Sequence, residues 1–211
     1  MDAKDSIKYL FPKISDVQID QLVALGPLYE NWNQKINLIS RKDIHNIFLK
    51  HIIHSLMIGK WISFTAHSII LDLGTGGGFP GIPLSIIFPE VNFHLVDSTR
   101  KKVLVVQDIV DKLGLKNVKT SHSRAEDLSI KYDFIMARAV APATQLISWT
   151  KKLIREQHIN SIPNGWILLK GGQLDDELKA LSPGTYYEKI PICDYHPDPY
   201  FEEKYIIYIQ R

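Results

Sequence analysis

An apolar run that ends at a cluster of glycines constrains this chain more than any other feature. Ile70-Leu71-Asp72-Leu73 leads into Gly74-Thr75-Gly76-Gly77-Gly78-Phe79-Pro80-Gly81. Pro83 then suits a first helical turn, where no backbone donor is needed. Strand, glycine turn and helix in succession bring backbone amides up to a nucleotide-like ligand in an α/β sheet.

The loop reads in two frames. Gly76, Gly78 and Gly81 satisfy G-x-G-x-x-G, and Asp97 lies ~20 residues on, where a ribose-binding acid belongs in a dinucleotide site. The other frame is Asp72-Leu73-Gly74-Thr75-Gly76, with an acid two residues before the first glycine. It resembles motif I of the class I S-adenosylmethionine (SAM) methyltransferases. Charge separates the two. A carboxylate at Asp72 would repel a pyrophosphate, but would attract the ammonium and sulfonium of SAM. The bland alternative is a glycine turn that binds nothing.

Beyond the loop, apolar strands at 69–73, 91–96, 118–121, 132–137 and 166–169 alternate with helical stretches such as 101–113 and 143–154. Continuous apolar strands joined by helices imply a parallel sheet covered on both faces. The stretches 186–190 and 205–209 have only a Pro- and Asp-containing loop between them and are expected to pair antiparallel at the sheet edge. The expected fold is α/β: a class I SAM-methyltransferase Rossmann-like sheet of seven mostly parallel strands with the last one reversed, plus an N-terminal helical extension.

Ligands of open α/β sheets bind at the carboxyl ends of strands. Asp97, Arg124-Ala125-Glu126, Arg138 and Lys170-Gly171-Gly172 follow successive strands there. The Asp97 carboxylate can accept both ribose hydroxyls. Each also has a plain reading: Asp97 as a helix cap, Glu126 as a surface acid, Arg138 and Lys170 as solvated charges.

Residues 1–65 read as helical, and 66–211 as the catalytic domain. Ser15 and Gln18 have capping-box spacing, with Leu22, Leu25, Tyr29 and Trp32 following at helical intervals. Gly26-Pro27 is expected to bend or interrupt that helix. A second helix should carry Ile44, Ile47, Phe48, His51, Ile52 and Ser55 on one face. Residues 31–60 hold Lys35, Arg41, Lys42, Lys50 and Lys60 against one acid, Asp43, with His45, His51 and His54 near Trp32 and Trp61. Cations contact phosphates and aromatic faces stack splayed bases. The alternative is a solvated basic face over buried aromatics. Asn33 and Asn37, one turn apart, either face a base edge or cap the helix end. His51 and His54 share a face, but no Cys or carboxylate cluster joins them, so no metal is expected.

The chain has 211 residues, 45% of them hydrophobic, enough for one sizeable core plus an extension. No apolar run approaches the ~20 residues of a membrane span, and the start has no signal-peptide pattern. Cys193 is the only cysteine, so an internal disulfide is impossible; this suits a reducing, cytoplasmic setting. The net charge of +2 alone says little about nucleic acid.

These residues together resemble a known family, the bacterial 16S ribosomal RNA guanine-N7 methyltransferases, also called glucose-inhibited division protein B. The resemblance rests on Trp32-Asn33, Asn37-Leu38, Arg41 with Asp43, and His51-Ile52-Ile53-His54-Ser55. It continues through Asp72 to Pro83, Val96-Asp97-Ser98, Arg124-Ala125-Glu126, Arg138-Ala139 and Lys170-Gly171. It implies SAM as cofactor, held by Gly74, Gly76, Phe79, Asp97, Ala125, Glu126 and Arg138. Gly74 and Phe79 would meet the methionine and sulfur region, Asp97 the ribose, Ala125 and Glu126 the adenine. Arg138 would lie at the cofactor, close to the incoming base, as a positioning group. The RNA-facing set is Asn33, Asn37, Arg41, Lys42, His51, Arg124 and Lys170. The implied partner is 16S rRNA or a small-subunit assembly particle, and the implied target is the 530-loop guanine. The protein is expected to be a monomer without membrane or metal. It departs from the family at His54, where Asp is more usual, and at Ala137, where Ser often stands.

The acceptor chemistry can be read independently. Pyrimidine C5 methylation needs a cysteine nucleophile, and Cys193 lies far past the strand ends. Exocyclic amine methylation usually shows Asn/Asp-Pro-Pro-aromatic after the fourth strand, where this chain has Ala137-Arg138-Ala139-Val140. Guanine N7 carries a lone pair and no proton, so it needs neither base nor covalent catalyst. The other readings are a SAM enzyme with a different acceptor, a dinucleotide oxidoreductase, and a ribosome-binding protein that keeps SAM as a structural ligand.

Overall fold

The structure is a computed structural model that describes residues 2–36, 38–40 and 43–211. Its centre is a sheet of β1 (Ile69–Leu73), β2 (Asn92–Asp97), β3 (Val118–His122), β4 (Phe134–Arg138), β5 (Gly165–Gly171), β6 (Tyr187–Pro191) and β7 (Lys204–Gln210). The strand order is β3-β2-β1-β4-β5-β7-β6. Strands β1 to β5 pair in parallel, and β7 runs antiparallel to both β5 and β6. The expected edge pair is therefore present, with the last strand reversed.

Alternate residues of the inner strands feed two cores, as the period of a strand requires. Ile70, Phe93, Leu95, Phe134, Met136, Ile167 and Leu169 face one core. Leu71, Val96, Ile135, Ala137, Trp166 and Leu168 face the other. Helices α4 (Gly81–Ile87) and α5 (Arg100–Leu113) cover the first face; α6 (Ala143–Thr150) and α7 (Asp175–Lys179) cover the second.

The N-terminal segment completes the first core. Helices α1 (Ala3–Leu10), α2 (Asp16–Lys35) and α3 (His54–Trp61) contribute Ile7, Leu22, Leu25, Tyr29, Leu56 and Met57 to the same apolar cluster as Phe93 and Phe134. The capping box forms as read: Gln18 N–H donates to Ser15 Oγ at 3.3 Å, and Ser15 N–H donates to Gln18 Oε1 at 3.0 Å. Pro27 does not interrupt α2, which runs through it. Burial of Leu22, Leu25 and Tyr29 on both sides of the proline outweighs one missing backbone donor.

The second expected helix is three shorter pieces: a 3-10 turn at Ile44–Asn46, a π-helical stretch at Phe48–Ile53, and α3. The N–H of His54 turns to the carbonyls of Leu49 and His51. The carbonyl of Lys50, its usual α-helical partner, serves side chains from elsewhere instead. Single-turn π segments recur at functional sites.

Candidate active site

The loop after β1 lies at the point where the chain order reverses. The chain leaves β1 for β2 and β3 on one side, and returns to β4 on the other. A crevice opens beyond the carboxyl ends of strands at such a switch. Three glycines of the loop take left-handed backbone, Gly74 at φ 64°, Gly76 at 58° and Gly78 at 90°. An added Cβ at Gly74 would lie 2.6 Å from Val140 Cγ2, so the loop needs both the backbone freedom and the space.

Asp72 fixes this loop from below. It is fully buried, and its Oδ2 accepts from Thr75 Oγ1 at 2.6 Å and from the Gly81 N–H at 2.8 Å. Burial raises its pKa to about 6, against the bonds from Thr75 and Gly81. This corrects the reading of Asp72 as a carboxylate facing an ammonium. Its Oδ2 serves the loop's own donors, while Oδ1 is buried without a hydrogen-bond partner. Tyr29 closes the loop from α2, its hydroxyl donating to the Gly77 carbonyl.

Above the loop is a cavity of about 270 Å³, lined by Leu73, Gly74, Val96, Asp97, Arg124, Ala125, Glu126 and Trp149, with Val140 at its rim. Asp97 is 5% exposed; Oδ2 accepts from Gly76 N–H at 2.9 Å and Oδ1 from Thr99 N–H at 2.8 Å. Each carboxylate oxygen has two acceptor positions, so each keeps one for a ribose hydroxyl. Leu73, Val96, Ala125 and Trp149 supply flat apolar walls of the kind a purine needs. The residues fit the adenosine part of SAM. Asp97 does not cap α5 by itself: Thr99 is the N-cap, and Asp97 braces the turn before it.

Arg138 ends β4 on the face of Phe134 and Met136, the face the N-terminal helices cover. Its Nη2 donates to His51 Nδ1 at 2.7 Å, its Nη1 approaches the Lys50 carbonyl at 3.4 Å, and its guanidinium lies 5.2 Å from the Phe79 ring centre. Phe79 also packs against Tyr29 and His51, with ring centres 4.8 and 5.1 Å away. Among the described residues, no carboxylate pairs with Arg138. Burial lowers its pKa below the ordinary guanidinium value. Burial first, and then the Arg138 charge, pull His51 down to about 4. His51 is therefore neutral at pH 7 and accepts through Nδ1. The glycine loop joins the two halves: Gly74 lines the cavity and Phe79 lies against Arg138.

Of the expected RNA-facing set, Asn33, His51, Arg124 and Lys170 are among the described residues. Asn37, Arg41 and Lys42 lie outside the described residues. Asn33 is committed to its own loop: Oδ1 accepts from Leu38 and Ile39 N–H at 2.9 and 2.8 Å, and Nδ2 donates to the Ile39 carbonyl at 3.0 Å. Asn33 braces the loop after α2 rather than the helix end itself, and serves both backbone groups of Ile39. Lys170 is held by Glu177 at 2.8 Å and the Ala141 carbonyl at 2.8 Å, which ties β5 to α7 and to the loop before α6. Arg124 is exposed on the cofactor cavity. His51 meets Arg138. The sequence reading missed Trp149, Val140 and Tyr29 as site residues, because no motif marks them. Ala139, at φ 54°, holds the left-handed turn that carries Val140 toward Gly74.

A family model described as GidB, rRNA small subunit methyltransferase G, matches residues 18–190. The chain belongs to this family. A Flavobacterium johnsoniae protein named ribosomal RNA small subunit methyltransferase G is 47% identical over 205 residues, covering 97% of both chains. One of the same name from Phocaeicola vulgatus is 48% identical over 203 residues, covering 96% of both. Fibrillarin from Aeropyrum pernix, solved with natively bound S-adenosyl-L-methionine, shares the fold with a TM-score of 0.53 at 14% identity, over 74% of this chain and 73% of that one. The family is one of SAM-dependent methyltransferases, which settles the ambiguity of the glycine loop in favour of its second frame. Among the described residues, no helix is long and apolar enough to cross a membrane.

Proposed function

We propose that this chain transfers a methyl group from SAM to N7 of a guanine in 16S ribosomal RNA, at the 530-loop guanine to which the sequence resemblance points. The observation that carries the reading is Asp97 beneath the cavity, joined through the glycine loop to Arg138. One part suits an adenosine and the other a charged acceptor complex. Gly74, Gly76, Asp97, Ala125 and Glu126 would hold the nucleoside, and Phe79 and Arg138 the reacting end.

When bound, SAM supplies the methyl on a sulfonium leaving group. The protein's task is alignment, which can supply up to ~7–11 kcal/mol of the barrier. Phe79 and Arg138 form a packed wall there, held by His51. N7 brings its own lone pair, so no side chain has to take a proton, and none is assigned that role. Cys193 is exposed on the turn Ile192–Asp194 after the edge strand β6, a placement that suits no covalent role.

We further propose that residues 1–65 act as an RNA-facing cap on a catalytic domain at 66–211, that the protein is monomeric and cytoplasmic, and that rRNA or an assembling small subunit is its substrate. The basic residues of 31–60 support the cap. The test is labelled SAM with small-subunit RNA from a strain lacking the gene, followed by mapping of alkali-labile N7-methylguanine. Label on another base or on protein would overturn the reading.

A further inference from the structure

The turn before β7 brings two ammonium groups to one aromatic ring. Tyr200 lies on the turn Pro199–Phe201. Lys50 Nζ stands 5.8 Å, and Lys204 Nζ 5.5 Å, from the centre of its ring. The Tyr200 hydroxyl approaches the Lys50 carbonyl at 3.5 Å, the oxygen that Arg138 approaches at 3.4 Å. Ring and guanidinium are therefore tied to one backbone atom. The turn is firmly set. Asp198 accepts from Tyr200 N–H at 2.9 Å, and Phe201 is buried.

Charge here is unbalanced. Lys50 is paired with Asp43 at 2.6 Å. Among the described residues, neither Lys204 nor Arg138 has a carboxylate at ion-pair distance. Lys204 lies over the carboxyl end of β5, the site end of the sheet: a Cβ added at Gly171 would be 2.9 Å from its Nζ. His54 packs edge-on to Tyr200 and Phe201, with ring centres 5.9 and 5.7 Å away. It is 5% exposed, and neither ring nitrogen has a hydrogen-bond partner. Burying the Arg138 guanidinium without a carboxylate at ion-pair distance costs desolvation energy, and Lys204 beside the ring lacks such a carboxylate too. A phosphodiester offsets that cost, and the acceptor of this reaction brings one with every nucleotide.

We propose that Lys50, Tyr200 and Lys204 form a seat for an RNA phosphodiester on the acceptor side of the methyl-transfer site, beside Arg138. The inference rests on the function proposed above and gives it a location on the protein. The ammonium groups act as point charges on the phosphate. Tyr200 is the wall between them, and His54 and Phe201 hold its plane. The seat adjoins the π-helical stretch, so an RNA strand held there reaches Arg138 directly.

The experiment is equilibrium binding of a 16S RNA fragment to the full chain over a range of salt, with SAM affinity measured in parallel by calorimetry. Lys204→Ala is expected to weaken RNA binding about fivefold at low salt and to flatten the slope of log K against log salt by about 0.7, the share of one phosphate on a single strand. Lys204→Arg should restore the slope. Tyr200→Leu should weaken RNA binding more than Tyr200→Phe, and all four variants should keep the wild-type SAM affinity. An unchanged slope in Lys204→Ala together with unchanged RNA affinity in Tyr200→Leu overturns the proposal. Loss of SAM affinity with RNA affinity intact also overturns it, because the cluster would then serve the cofactor. Wild-type protein that binds SAM but neither binds nor methylates 16S RNA overturns the functional reading itself.

Discussion

The guanidinium of Arg138 and the imidazole of His51, 87 residues apart in the chain, meet at 2.7 Å. The contact joins the end of β4 to the π-helical stretch, so the catalytic sheet and the N-terminal segment share one site. His51→Phe should leave a buried guanidinium with one acceptor fewer, at a cost of about 1–3 kcal/mol. His51→Gln, which keeps an acceptor, should recover most of it. Thermal denaturation and SAM calorimetry on both variants check this, and equal effects would show that packing alone matters.

Asp97→Ala should weaken SAM binding by about 1–3 kcal/mol, the usual result of losing a charged hydrogen-bond partner. Gly76 and Thr99 would lose their acceptor in the same change, so part of the loss should appear as a lower melting temperature. Calorimetry separates the two effects. Unchanged SAM affinity would remove the ribose role.

Gly74→Ala should destabilise the β1–α4 turn. A left-handed backbone costs a non-glycine residue about 1–2 kcal/mol, and the new methyl would also collide with Val140. Pairing it with Val140→Ala should relieve the collision and leave the backbone cost. A double-mutant cycle measures the difference, and strict additivity would show that the two residues do not touch.

His54→Leu should leave stability at pH 7 unchanged or raised. Both ring nitrogens are buried without partners, and an apolar side chain removes that desolvation cost. Urea titration is the measurement. A loss comparable with a core truncation would mean that His54 has a polar partner.

Acid should unfold the protein early. Burial holds His51 at about 4, His54 at about 3 and His94 at about 4. Each lies below the unfolded value, so the unfolded chain takes up protons first. Their contribution is complete above about pH 6.5 and is lost as pH falls toward 4. Asp72, raised to about 6, has the opposite sign: the folded state binds its proton more tightly, which relieves its penalty as pH falls from 6 toward 3.8. Three groups against one give a falling melting temperature between pH 6.5 and 4. Scanning calorimetry at steps of pH tests it. A flat profile would mean that these imidazoles are not desolvated.

The sequence by itself determined the α/β order, each strand to within a residue or two, the reversed pair at the sheet edge and the capping box of α2. These follow from local apolar periodicity and from side-chain-to-backbone bonds between near neighbours. It also placed Gly74, Asp97, Ala125 and Glu126 at strand ends, where a parallel sheet gathers them. Only the tertiary structure decided that Asp72 faces inward, that Asn33 and Lys170 are committed to loop and helix partners, and that Lys50 offers its carbonyl to both Arg138 and Tyr200. Those outcomes depend on which donors and acceptors meet after the chain has closed. A residue's type and spacing record its capacity for hydrogen bonds, while burial and long-range packing choose the partner that uses it.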